Sequence, residues 1–493
     1  MTIDRILISA APGETRIAEM SKGRLAAIGI HRTGAETRVG DVYIGRVEAV
    51  IHNLQAAFVD IGEERAGFLG LAEARPMPHF GRDNEPDDAI GDYVNEGDRI
   101  LVQVTRDAEE DKGAKLTARV SLSGRDLVFT PQGSGINISR RITDSAERDR
   151  LTGILENMLA ADAGDQDALG GFIVRTAAAE AHDEDIAAEA GRLRARWLDI
   201  EAARDQAQGI AAVHRDAPPA LRILRERGGT ELESIVVDDA VLFAEMQAFV
   251  ADEMPDLAEI LIRHTGAAPL FEAEGVEEMI EAALDVFVPL PSGGNILISE
   301  TPALIAVDVN TGSADFGGRD RTNLEVNKEA AREIARQMVL RNLSGLMIVD
   351  FVSMRRREAQ DELGDVFAGA LADDPQNPHL VGFTRLGLAE LTRRRAGASL
   401  QELMCGEPAA PRVSPETTAL AALRAALAEA ARAAQPSYTI RIHPDATKAL
   451  DGVFAVAFVE TREKLGGALT VVADGDMAPE IFRIDVGKSG GAA

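Results

Sequence analysis

Two apolar runs that each close on an aspartate mark the middle of the chain: IAVDVNTG over residues 305–312 and LMIVDF over residues 346–351. Four or five consecutive apolar residues, bounded by polar or glycine-containing turns, suit strands covered on both faces. A helix is predicted between them. Thr322 and Glu325 stand at capping-box spacing, good helix formers continue to about Leu343, and Gly345 sits where a helix commonly stops. Strand, crossover helix and strand make the two strands parallel neighbours in one sheet, which brings Asp308 and Asp350 out at the same edge.

Elsewhere the pattern changes. From Gly40 the chain reads GDVYIGRVEAVIHNLQAAFVDIGEERAGFLGL, with EGDRILVQVTRD at residues 96–107. Short alternating strands separated by glycine-containing turns predict a small barrel. In the next unit, GINISRRI (135–142) places Arg140 and Arg141 in a turn-rich stretch, and GFIVRTAAAEA (171–181) ends an apolar strand at Arg175 and Thr176. A helical run from about Asp183 to Gln208 carries the sole tryptophan, Trp197, as a packing residue. After Arg395 a linker rich in proline and small residues leads to an alanine-rich helix at about 418–434 and to strands such as YTIRI and LTVVA.

At 493 residues the chain exceeds a single core, and three or more domains are expected. No run of about 18 apolar residues offers a membrane span. The start, MTIDRILISAAPGETR, alternates like a strand rather than a signal peptide, and one cysteine leaves no internal disulfide framework, so a cytoplasmic protein is expected. A net charge of −29 argues against indiscriminate nucleic-acid binding and, by itself, favours an acidic protein that never meets nucleic acid.

Residues 319–357 alter that picture, with nine Lys or Arg against five acids, a local balance of +4. A basic island beside paired carboxylates is where a phosphate backbone can approach and be cut. The alternative is a solvated helix face with ion pairs, Glu329 and Glu333 near Arg332 and Arg336, which leaves Arg355, Arg356 and Arg357 unexplained. Carboxylates on strands about 4.8 Å apart can share one hard cation such as Mg²⁺, with Asn310 two residues past Asp308 to orient a carboxylate or a substrate oxygen. Strand-end aspartates acting as turn caps are the plainer alternative. Arg175 beside Thr176, ahead of a helix start, can hold a terminal phosphate, although such a pair is more often a surface pair. The eight histidines show neither HExxH nor a pair at ligand spacing, and no GxxxxGK[ST] loop or GxSxG elbow is present.

The block AVDVNTGSADFGGRDRTNLEVNKEAAREIARQMVLRNLSGLMIVDFVSM, with LPSGGNILI (290–298) before it and FTRLGLAELTRRR (383–395) after it, resembles the catalytic segment of the ribonuclease E/G family. The resemblance covers nearly the whole chain. It implies an α+β multidomain protein. Residues 1–37 and 219–283 would form a ribonuclease-H-like scaffold interrupted by an S1-type OB-fold barrel (38–125) and a 5′-sensor unit (126–218). A deoxyribonuclease-I-like catalytic domain (284–399), a linker (400–417) and a small C-terminal α/β domain (418–493) would follow. By the same resemblance Asp308 and Asp350 hold a catalytic Mg²⁺, with Asn310 beside them and Arg385 nearby. Phe58, Phe68 and Lys112 contact RNA, a reading that reverses the ordinary one of a barrel phenylalanine as core. Arg175 and Thr176, with Val128 as a backbone contributor, form the pocket for an RNA 5′ monophosphate.

The implied function is Mg²⁺-dependent endonucleolytic cleavage of single-stranded RNA, in messenger RNA decay and ribosomal RNA maturation, leaving 5′-phosphate and 3′-hydroxyl ends. The rival readings are a catalytically silent RNA-binding factor in ribosome assembly and a Mg²⁺-dependent phosphatase or deoxyribonuclease. The intact Asp308, Asn310 and Asp350 set speaks against the first. The barrel and terminal-phosphate pocket, which the second would not need, speak against it. Family members typically carry Cys-x-x-Cys in the linker, where two chains clamp one Zn²⁺. Here the stretch is LMCGEP, so two copies offer two thiolates, short of a closed zinc site. Zinc is therefore not expected, a homodimer would rest on other surfaces, and the long degradosome scaffold tail of some members is likewise not expected.

Overall fold

The computed structural model describes residues 2–32, 37–76, 88–108, 112–161, 170–229, 231–395, 397–405, 414–432 and 437–487. The chain divides into two compact units, Met1–Met404 and Cys405–Ala493. No helix among the described residues is long and apolar enough to cross a membrane.

The chain's two ends of the scaffold meet in one five-stranded sheet, in the order Leu261–Arg263, Ser234–Val237, Arg5–Ala11, Glu14–Ser21, Arg24–Arg32. Alternation along Arg5–Ala11 explains why both faces are filled. Ile6 and Ile8 pack with Leu224, Met246 and Val250 on one side, while Leu7 packs with Phe271, Ile280 and Leu340 on the other.

Five strands, Val42–Ile51, Ala56–Asp60, Gly67–Gly70, Lys115–Thr117 and Arg99–Arg106, close into an OB-like barrel because the first pairs antiparallel with the last, from Val42 opposite Gln103 to Arg46 opposite Arg99. The following unit is a four-stranded sheet under helices Ser145–Ala161 and Asp183–Gln206, with Phe129 against Phe172 at its centre and Trp197 packed at the core's margin. Its core also takes Val42, Val120 and Leu122 from the barrel side, and strand Ala211–His214 returns to pair with Val42–Ile44. The barrel and the four-stranded unit thus share a core across the boundary expected at 125.

The sheet that carries both aspartates has six strands in the order Phe287–Pro289, Asn295–Glu300, Ile305–Asn310, Gly345–Asp350, Ala389–Arg393, His379–Phe383. Helices Arg319–Leu340 and Arg357–Leu371 cover one face, over a core of Val307, Val309, Met347, Val349, Ile334, Met338 and Phe367. The expectation of strands covered on both faces fails. Ile305, Val307 and Val309 are buried whereas Ala306, Asp308 and Asn310 are exposed, and Leu346 is 44% exposed. Small or apolar residues on the open face hid the alternation. The helix also starts a turn earlier than expected, at Arg319. The Thr322 hydroxyl accepts from the Phe316 N–H at 3.0 Å, tying the preceding loop to the helix, and Glu325 pairs with Lys328. The helix ends at Leu340, and Gly345 opens the next strand at φ +91°, where a side chain would be strained.

Leu400–Cys405 is helical with Leu400 buried against the scaffold, so the expected linker does not begin at 400. Cys405 is exposed and free, while Gly406, Glu407 and Pro408 lie outside the described residues. The C-terminal unit has a three-stranded sheet, Leu469–Ala473, Tyr438–Ile442, Phe482–Val486. Helices Pro415–Arg432 and Pro444–Asp451 supply Ala422, Leu423 and Leu450 to a core with Ile440, Ile442 and Leu469.

Candidate active site

The parallel pair Ile305–Asn310 and Gly345–Asp350 is in a register that sets Asp308 opposite Asp350. Four connections collect at this sheet edge, because the Asn295–Glu300 strand begins opposite Asn310 and the Ala389–Arg393 strand begins opposite Val349. They are the turn before Asn295, the loop after Asn310, the segment after Asp350 and the turn carrying exposed Arg385. The first two touch closely. A Cβ on Gly312, which has φ +52°, would lie 2.2 Å from the Gly293 carbonyl oxygen, so the approach requires glycine.

Both aspartates are exposed on the open face of the sheet. The Asn310 amide donates to Asp308 Oδ2 at 2.9 Å and reaches Asn295 Oδ1 at 3.4 Å, which fixes one carboxylate oxygen. No lysine or arginine is paired with either aspartate among the described residues. Two register-matched carboxylates without a cationic partner repel one another and suit a hard divalent cation. Among the described residues no cluster of three or more His, Cys, Asp or Glu is assembled, so two carboxylates would be the ionised donors. Mg²⁺ fits such a sparse set because it commonly keeps several waters.

Sequence reasoning missed two buried residues that position this edge. Asn327, fully buried on the long helix, donates to the Val352 carbonyl at 2.8 Å and accepts from the Val352 N–H at 3.0 Å. One turn earlier Asn323 donates to the Ser353 carbonyl at 2.9 Å. Together they pin the backbone directly after Asp350. Their signal was present as two asparagines four apart on the helix face toward the sheet.

The basic island divides in two. Arg336 pairs with Glu333, Lys328 with Glu325 and Glu362, and Arg341 is buried against Gln337 and the Asp285 carbonyl. Those side chains hold structure. Arg319, Arg321, Arg355, Arg356 and Arg357 are exposed at the ends of the two helices that face the aspartate edge.

On the barrel, Phe58 and Phe68 are directly paired across neighbouring strands, with ring centroids 6.0 Å apart in an edge-to-face arrangement, and both are half-buried rather than core. Lys112 is exposed just before strand Lys115–Thr117. Lys115, which the sequence did not single out, is exposed and stands opposite Phe68 in the register. A cation beside two ring edges can take a nucleotide by stacking and phosphate attraction.

In the four-stranded unit, strand Gly171–Val174 ends at Arg175, whose N–H donates to the Asp126 carbonyl at 2.8 Å. The exposed Thr176 hydroxyl, at the start of a short 3-10 turn, lies 3.0 Å from the Ser139 hydroxyl. Val128 lies on the neighbouring strand Leu127–Thr130, opposite Ile173. The three expected residues are therefore contributed by adjacent strands of one sheet. Arg140 and Arg141 sit in the turn after strand Gly135–Ile138, and Arg141 reaches the Ala372 carbonyl, just past helix Arg357–Leu371, at 3.2 Å.

A sequence model described as the ribonuclease E/G family matches residues 121–396. Ribonuclease G of Haemophilus influenzae is 36% identical over 408 residues, covering 82% of each chain. Ribonuclease G of Escherichia coli is 35% identical over the same 82% of each chain. Ribonuclease E of a Nostoc species is 35% identical over 402 residues, 80% of this chain and 55% of that protein. The chain belongs to the ribonuclease E/G family and is an endoribonuclease, similar in length to the ribonucleases G.

Proposed function

We propose that this endoribonuclease depends on Mg²⁺ and cuts single-stranded RNA internally, including messenger RNA and ribosomal RNA precursors in the cytoplasm. The observation that carries the reading is the register match of Asp308 with Asp350 on an exposed sheet edge, with Asn310 bonded to Asp308. A Mg²⁺ ion held by Asp308 and Asp350 would polarise the scissile phosphate and activate water there. Water's oxygen bonds to phosphorus as the bond to the ribose 3′ oxygen breaks, and that oxygen leaves with a proton. The ends are a 5′ phosphate and a 3′ hydroxyl. Asn310 keeps the Asp308 carboxylate oriented, and exposed Arg385 with the arginines after Asp350 draws the backbone to the edge. In this reading the catalytic unit is deoxyribonuclease-I-like and the five-stranded unit a ribonuclease-H-like scaffold, and two chains associate through catalytic and C-terminal surfaces. Cleavage of a labelled single-stranded RNA in Mg²⁺, stopped by EDTA and restored by excess Mg²⁺, tests it; cleavage that persists in EDTA would refute the metal requirement.

RNA is held away from the cut by the barrel. Phe68→Ala removes one member of the edge-to-face pair and lowers affinity for a short RNA by about 1–3 kcal/mol, the range of single base-stacking contacts. An unchanged dissociation constant by fluorescence anisotropy would remove Phe68 from the interface.

Arg175, Thr176 and Val128 take the RNA 5′ monophosphate. Cleavage is accordingly faster on RNA ending in a 5′ monophosphate than on the same RNA ending in a triphosphate or hydroxyl, and Arg175→Ala erases the difference. A charge-assisted bond of about 1.5–3 kcal/mol is available from one phosphate and not from a hydroxyl. Equal rates on all three ends would rule the pocket out.

A further inference from the structure

Glu189 lies on helix Asp183–Gln206, facing the sensor sheet, and is 7% exposed. Its carboxylate accepts from the Asp126 N–H at 3.0 Å and the Leu127 N–H at 2.9 Å. These belong to the turn joining strands Leu122–Ser123 and Leu127–Thr130, which the Gly124 N–H closes on the Leu127 carbonyl at 2.8 Å. The same turn is gripped from two other sides. Arg125 bonds to Asp126 at 3.2 Å and to Asp256 at 2.6 Å, and Arg225 donates to the Ser123 carbonyl at 2.9 Å. The Asp126 carbonyl in turn accepts from the Arg175 N–H. Gly124 shows how tight the seat is: a Cβ there would lie 1.9 Å from Glu189 Oε1.

We propose that Glu189 is a positioning residue for the terminal-phosphate pocket: by clamping the 124–127 turn it fixes the backbone that holds Arg175 and Val128 where an RNA 5′ phosphate is received. The inference rests on the pocket reading above and assigns it a buried control point.

The clamp is sensitive to pH. Burial first, and repulsion from Asp126 second, push the Glu189 carboxyl up to about 7. The charged groups around it are Arg125 and Asp126 on the turn, with Asp185 and Asp256 beside Asp126; Arg192, on the same helix, is turned to the Glu253 carbonyl. Because the folded value lies above the unfolded one of about 4.3, the protonated form favours folding. That contribution is complete below the unfolded value and is lost as pH rises through about 7. The ionised clamp, with its stronger hold on two N–H groups, is therefore the form present above that point and is lost as pH falls through it.

The test compares kcat/KM for the 5′-monophosphate and 5′-hydroxyl forms of one short RNA from about pH 5.5 to about 8.5, a range that includes the phosphate's own ionisation near 6. The wild-type ratio rises with pH in two components, one from the phosphate and one from Glu189. Glu189→Gln keeps only the phosphate component, and its ratio at the alkaline end falls about fivefold, as expected on replacing a charge-assisted hold by a neutral one. Gly124→Ala leaves the carboxylate present but displaces it. It lowers the ratio similarly, and adds nothing when combined with Glu189→Gln because both act on one contact. If Glu189→Gln does not fold, Gly124→Ala alone decides. A wild-type ratio and profile retained in either single variant, or additive losses in the double variant, would overturn the inference while leaving the pocket standing. A wild type indifferent to the 5′ end would remove the pocket and the inference together.

Discussion

Asp308→Asn and Asp350→Asn each lower RNA cleavage by about a hundredfold or more, the scale seen when a single transition-state stabiliser is removed. The effect follows from the register that sets the two side chains at one edge. Either change halves the ionised oxygen donors available to a cation, since no third carboxylate is clustered with them among the described residues. Folding should be nearly untouched. Both side chains are exposed, and an asparagine at 308 still offers an oxygen to the Asn310 amide that now reaches Asp308 Oδ2 at 2.9 Å. RNA binding should also persist, because Phe58 and Phe68 stand on a separate sheet. Raising Mg²⁺ should recover part of the rate if the defect is weakened metal binding. Near-normal cleavage by either variant at limiting Mg²⁺, with folding verified by circular dichroism, would mean that the metal is held elsewhere.

What made this edge legible is that strand–helix–strand connectivity determines which strand ends coincide, and an aspartate at each end survives small errors in helix boundaries. The capping argument failed locally without affecting that conclusion. The spacing to Glu325 makes Thr322 a capping residue, yet Thr322 lies inside the helix, its hydroxyl serves the loop before it, and Gly318 at φ +134° precedes the helix. The strand pattern misled for a different reason. Ala306 and Leu346 are apolar but sit on the open face, so an unbroken apolar run did not signal two covered faces. A short run reports that one face is buried and leaves the other undetermined.

The groups that work through the backbone were the least visible. Asn323 and Asn327 act on the carbonyls and N–H after Asp350, and Glu189 on the N–H groups of a turn more than sixty positions away. Each is an ordinary polar residue in a helix until its burial is known. Burial is what makes an unsatisfied partner expensive and the contact specific. Lys115 was passed over for a comparable reason: only the pairing of its strand with Gly67–Gly70 puts it opposite Phe68. Domain limits were blurred where cores are shared, as with Val42, Val120 and Leu122 in the core of the four-stranded unit, because composition does not change across such a joint.

Asp374→Ala should destabilise the six-stranded unit by about 3–5 kcal/mol, the range for leaving one member of a buried ion pair without its partner. Arg393 and Asp374 side chains are only 3% and 4% exposed, and Arg393 Nε donates to Asp374 Oδ2 at 2.6 Å. Arg393 Nη2 donates to Asp374 Oδ1 at 3.2 Å, and Nη1 donates to Asn342 Oδ1 at 3.1 Å and to the Leu343 carbonyl at 2.9 Å. Arg393 therefore joins the end of its own strand to the connection that leads into the Asp350 strand, at the edge opposite the aspartates. Removing Asp374 leaves the cation buried with neutral acceptors alone. Replacing both partners, as in Asp374→Leu with Arg393→Met, should recover most of the loss, since well-packed apolar substitutes for a buried pair are often close to neutral. Urea denaturation followed by far-ultraviolet circular dichroism, together with limited proteolysis of the six-stranded unit, reads the difference. An Asp374→Ala protein with the wild-type midpoint would show that water or a neighbouring group reaches Arg393. A double variant no more stable than the single one would show that the pair's hydrogen bonds to Asn342 and Leu343, rather than its charge balance, hold the strand in register.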